Sequence, residues 1–126
     1  MVYSLVQRRL DEDELDAVFA ALAHQGRRAA LRHIADGDRG SLAMNQLAEA
    51  TGMSPQALQK HLVSLERAGL IERSREGRVT HAVAQPEVLA AAGDWIADMS
   101  AYWNNQLDSL SDYIATLGRR AEDKES

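Results

Sequence analysis

Gln56, Gln59, Lys60, Val63 and Arg67 fall on one side of a helical wheel drawn over residues 55–68, and Leu58, Leu62 and Leu65 fall on the other. Long amide and ammonium side chains break no bonds unaided. They do suit the reading of base edges: glutamine pairs bidentately with adenine, and lysine reaches guanine or a phosphate oxygen in a groove wide enough for a helix. Taken alone, such a face is also what an ordinary solvated helix presents, so its neighbours decide. A second basic group follows, with Arg73, Arg75 and Arg78 around Gly77. Arginines at a hairpin tip can grip a phosphate backbone or a minor groove, although Glu72 and Glu76 offset part of that charge. His61, at the edge of the leucine face, suits half-buried packing and a phosphate contact equally well.

The elements that must hold these residues are legible on either side. Leu15, Val18, Phe19 and Leu22 recur at helical spacing, giving a first helix over about Glu12–His24, broken by Gly26. Arg27–Ala35 reads as a second helix, 36–41 (DGDRGS) as a loop by composition, and Met44–Thr51 as a short third helix. Gly52 can close that helix in the left-handed conformation, Ser54 can cap the next, and Pro55 fits its first position. After Gly69 the period changes. Leu70–Arg75 and Val79–Val83 are strand-like, with Glu76-Gly77 as the turn of a hairpin. Pro86 opens a last helix over about Glu87–Leu117, and residues 119–126 read as a frayed polar tail. Two short helices, a glycine turn, a capped second helix and a basic hairpin make a helix-turn-helix with a wing. The expected fold is therefore mainly α with a small β-hairpin wing: a winged helix-turn-helix of about five helices, forming a single domain over 1–118.

The segment from Leu47 to Leu62 (LAEATGMSPQALQKHL) resembles the helix-turn-helix of ArsR-type bacterial winged-helix regulators. The likeness continues through Leu65–Ile71 (LERAGLI) and Arg75–Arg78 (REGR), and upstream through Ala20–Arg28 (AALAHQGRR), covering roughly 12–117. The resemblance implies a homodimeric operator-binding protein, usually a repressor released by a ligand. Ser54, Gln56, Gln59, Lys60 and His61 match the positions that contact DNA, and Arg75 and Arg78 match the wing. Two departures stand out. His24-Gln25-Gly26 replaces an Asp-Pro-Thr-like junction, and the chain has no cysteine, so the thiolate sensing sites of metal-responsive members cannot form.

The bulk composition fits. The net charge is −5, yet its distribution matters more than the sum: blocks 26–40 and 54–85 each carry +2, while 1–25 carries −3 and 86–126 carries −5. No apolar run is long enough for a membrane span or a signal peptide, and the simplest location is the cytoplasm. The four histidines, His24, His33, His61 and His81, lack the three- or four-residue spacing of a helical metal site, so no metal or other cofactor is expected. Folding could still bring His24 to His33, which keeps a histidine-based metal sensor as an alternative. No nucleophile–base pair or phosphate-cradling loop argues for an enzyme.

On the last helix Trp95, Ile96, Met99, Tyr102, Trp103, Leu107 and Leu110 share one broad face, and Asp94, Asp98, Asp108 and Asp112 share the other. A helix this long outruns a domain of this size, so the stripe is expected to pair with the first helix (Leu15, Phe19) and with a partner subunit through Trp95, Met99, Tyr102, Trp103, Leu107 and Leu110. The expected partners are double-stranded DNA carrying a palindromic operator and a second copy of the chain. A small-molecule effector lodged against the aromatic residues is a refinement of that reading. The competing class is a winged helix that binds protein rather than DNA; it would expose apolar anchors where this sequence puts Gln, Gln, Lys and Arg.

Overall fold

A computed structural model describes residues 9–125, so residues 1–8 and 126, which the domain and tail boundaries above include, lie outside the described residues. Among the described residues, five α-helices and three strands run in the order α1 (Glu12–Leu22), α2 (Gln25–Asp36), β1 (Ser41–Ala43), α3 (Met44–Thr51), α4 (Pro55–Arg67), β2 (Ile71–Glu76), β3 (Val79–Ala84) and α5 (Pro86–Glu125). A 3-10 turn, Asp38–Gly40, precedes β1. The chain divides into two compact units, Met1–Ala92 and Gly93–Ser126, so that α5 begins in the first and makes up the second.

In the first unit, α1 starts with a capping box. The Asp11 carboxylate accepts from the Glu14 backbone N–H at 2.7 Å, and the Asp11 N–H donates back to Glu14 at 3.2 Å. Glu12, Asp13 and Glu14 also suit the positive end of the helix dipole, which accounts for much of the acidity of block 1–25. At the other end of α1, Arg28 donates to the Leu22 carbonyl at 2.8 Å, and Arg27 donates at 3.2 Å to the Ala20 carbonyl, which also accepts the Ala23 N–H. The break between α1 and α2 falls at Ala23–His24, two residues before the expected breaker. Gly26 lies inside the first turn of α2, where a Cβ would stand 2.9 Å from His61 Nε2; its small size serves close packing rather than helix termination.

The segment read as a loop, 36–41, ends in β1, which begins at its last residue, Ser41, and runs on to Ala43. Ser41, Leu42 and Ala43 pair antiparallel with Val83, Ala82 and His81, making a three-stranded sheet in the order β1-β3-β2. Three residues are too few to show a period-two pattern, and their partner lies far along the chain. The wing turn is displaced by one residue: Glu76 pairs with Val79, so Gly77 and Arg78 form the tip. Gly77 has φ 62° and Arg78 does not share that sign, the pattern of a two-residue II′ hairpin with glycine first. The three leucines of α4 meet α1, α2, α3 and the sheet in one core with Val18, Ile34, Leu47, Leu70 and Ile71. The last helix passes Gly118 and continues to Glu125, where a frayed tail was expected. Arg119, Arg120 and Ala121 are strong helix formers, and a lone glycine costs only about 1 kcal/mol against them.

Candidate nucleic-acid interface

Gly52 closes α3 with φ 68°, and the Ser54 hydroxyl accepts from the Ala57 N–H at 3.2 Å with Pro55 at the first helical position. These local bonds fix how α4 leaves the core. Its buried Leu58, Leu62 and Leu65 turn Gln56, Gln59 and Lys60 outward, all exposed, while Val63 is half-buried. Ser54 is exposed as well, with its oxygen engaged in the cap. Arg67, at the far end of the helix, lines a cleft with Asp11, Asp13 and Glu14 of the α1 start, so its charge faces carboxylates.

The three arginines of the wing differ in what they offer. Arg75 and Arg78 are exposed, and the register puts Arg78 at the tip. Arg73 is half-buried, its Nε 3.5 Å from Glu66 Oε1 of α4. That approach is an ion pair without hydrogen-bond geometry, since Nε and Nη2 of Arg73 have no hydrogen-bond partner. A guanidinium already facing a carboxylate gives less to an outside phosphate than two free ones. Between α4 and the wing lies a cleft of about 440 Å³ lined by Met44, Asn45, Gln59, Arg73, Arg78, Val79 and Thr80. It brings Gln59, Arg73 and Arg78 to one place, whereas Ser54, Gln56, Lys60 and Arg75 lie outside its lining. Asn45 and Thr80 were passed over in the sequence. Both flank strand pairings that become visible only when β1 is known to join β3.

His61 points the other way. Its ring centroid lies 4.7 Å from that of His24, its Nε2 backs onto Gly26, and its Nδ1 is buried without a hydrogen-bond partner. Burial, then the neighbouring His24, then Arg27, hold its pKa below the ordinary value of 6.5. The contact that folding makes is therefore His24 with His61, not with His33. Among the described residues no group of three or more His, Cys, Asp or Glu is placed to hold a metal ion, and no helix is long and apolar enough to cross a membrane.

The residues expected at a subunit interface fall into two sets. Leu15 is only 6% exposed and belongs to the core of its own unit, and Phe19 is partly buried against that core. Trp95, Met99, Tyr102, Trp103, Leu107 and Leu110 are exposed, Trp103 by 62%. Ile96, Tyr113, Ile114 and Leu117 extend the same apolar stripe along the second unit.

The fold has known counterparts. A solved ArsR-like transcriptional regulator from Rhodococcus sp. RHA1 superposes with a TM-score of 0.67 at 30% identity, covering 78% of this chain and 90% of that one. The chain belongs to the ArsR-like transcriptional regulators. A second ArsR-family regulator structure gives a TM-score of 0.66 at 29% identity over 77% of this chain and 97% of that one. A homodimeric winged helix-turn-helix DNA-binding domain from Mycobacterium bovis, described as a possible ArsR-family regulator, gives 0.57 at 26% identity over 74% and 84% of the two chains. The sequence model that matches is that of the MarR family, over residues 27–79. That match spans less than half of the chain and stops before α5. The ArsR-like structures align over three-quarters of the chain and decide the assignment. No curated protein sequence matches this ArsR-like chain.

Proposed function

We propose that this ArsR-like regulator works as a homodimer that reads a palindromic DNA operator, with α4 in the major groove and the β2–β3 wing on the backbone or in the minor groove, and that it acts as a repressor in the cytoplasm. The observation that carries this reading is the union of two surfaces: the exposed Gln56, Gln59 and Lys60 of a capped helix, and the wing-tip Arg78, which lines one cleft with Gln59. Glutamine supplies base discrimination, and the basic tip supplies affinity that does not depend on sequence. In this reading residues 1–118 serve as one functional domain, Ser54 and Gln56 meet the backbone and bases at the α4 start, Arg75 adds to the wing, and His61 acts from behind the interface. The M. bovis relative, a homodimeric DNA-binding domain, supports the pairing. The apolar stripe of α5 gives the partner copy a surface, and two α4 helices about 34 Å apart would meet successive major grooves.

Selection of duplexes from a random library by the purified protein, followed by titration of the winner at two salt concentrations, tests the reading. A palindrome bound with a steep salt dependence is the expected result. No enrichment and no binding at low salt would instead favour the protein-binding alternative, against which the α4 face argues because its one apolar residue, Val63, is half-buried.

A further inference from the structure

The site that the proposed interface leaves unused is on the inner side of α4. His61 reaches back from that helix to the α1–α2 junction, where its ring meets His24 at 4.7 Å with the planes tilted by 53°. Behind it the backbone of Gly26 comes so close that a Cβ would stand 2.9 Å from Nε2. Two polar atoms of this cluster, His61 Nδ1 and Arg27 Nε, are buried without a hydrogen-bond partner. A neutral imidazole tolerates that arrangement, because one ring nitrogen carries no proton. An imidazolium has N–H donors on both nitrogens, and Nδ1 would then bury one with no acceptor.

The surrounding charges make this worse. From the junction His61 is faced by His24, and from α2 by Arg27, both acting against a positive ring. Asp11, Asp13 and Glu14 of α1 lie with Arg67, and Arg73 of β2 lies with Glu66. Arg28 of α2 donates to the Leu22 carbonyl, and Lys60, the neighbour on α4 itself, is exposed on the outer face.

We propose that His24 is a positioning residue that seats the outward-reading helix α4 through His61, and that protonation of His61 unseats the helix. The ring contact ties the α1–α2 junction to the middle of α4, one residue from Lys60 and two from Gln59. A positive His61 ring at this spacing is opposed by its burial, by His24 and by the Arg27 guanidinium. The sign follows from linkage. The folded chain favours neutral His61, while the unfolded chain takes up the proton near the ordinary value of 6.5. The stability from this contact is therefore complete above that pH and is lost as pH falls below it.

The test uses the full chain and two variants, His24→Asn and His24→Asp. His61 is titrated by NMR in each, urea unfolding is followed between pH 7.5 and 5.5 (about one unit on either side of the ordinary histidine value), and amide protection is measured along α4. In the parent the expected results are a His61 titration below the ordinary histidine value, an unfolding midpoint that drops on acidification, and α4 protection that falls severalfold more than that of α3. The drop should shrink in His24→Asn and disappear in His24→Asp, whose carboxylate favours the imidazolium. An equal drop in all three chains, or α4 protection that ignores pH, overturns the proposal. None of these readouts needs DNA, so a failure of operator binding leaves them intact.

Discussion

Gln59 is the one side chain of the outward α4 face that also lines the cleft with Arg78, so its loss should be felt as lost discrimination. Gln59→Ala is expected to cost about 1–3 kcal/mol on the selected duplex and much less on a scrambled one, as read by parallel titrations. Arg78→Ala should weaken binding to both duplexes alike and flatten the slope of log affinity against log salt by about one. Arg73→Ala should behave differently from Arg78→Ala: it removes the partner of Glu66 and should leave the salt slope nearly unchanged. The sequence disclosed Ser54, Pro55 and Gly52 in their roles because caps are contacts between residues three or four apart. It could not separate Arg73 from Arg78, or reveal that Arg27 and Arg28 bind carbonyls of α1, because those partners are set by tertiary geometry. Part of the basic charge counted toward nucleic acid in block 26–40 is in fact capping a helix.

Among the elements, the helices announced themselves through periodicity, and α3 and α4 fall where the pattern places them. β1 did not, being only three residues long and starting at the end of the turn-forming stretch 36–41. Its presence makes a demand on Gly37 that composition hides. Gly37 has an ordinary negative φ, yet a Cβ there would stand 2.2 Å from the Ser41 carbonyl oxygen. Both sides of that clash are backbone, so neither can swing away. Gly37→Ala should destabilise the fold by about 1–3 kcal/mol or more, lowering the urea midpoint, through displacement of β1 from β3. By contrast, Gly26→Ala meets the far end of the His61 ring, which can rotate; the expected result is a His61 titration moved back toward its ordinary value, with a smaller change in midpoint.

At the scale of the molecule, a net charge of −5 and a nucleic-acid partner are reconciled by placement. Acids at the start of α1 cap a helix, and those of α5 other than Glu87 stand on the second unit, while the outward α4 face presents Gln56, Gln59 and Lys60. The second unit is a single helix whose apolar side chains stand open along its length, and an apolar stripe of this extent marks an association surface. Leu107→Asp, which puts a charge in the stripe, should shift sedimentation toward the monomer and lower operator affinity in step; Trp103→Ala should do so more weakly. The same helix also decides what light the protein emits. Trp95 and Trp103 are the only tryptophans in the chain, and both are exposed on this stripe. Burial against a second copy would move their fluorescence to shorter wavelength as concentration rises. The first unit, with α4 and the wing, contributes no indole at all, so the chain carries a built-in optical reporter of assembly that is silent about the reading of DNA.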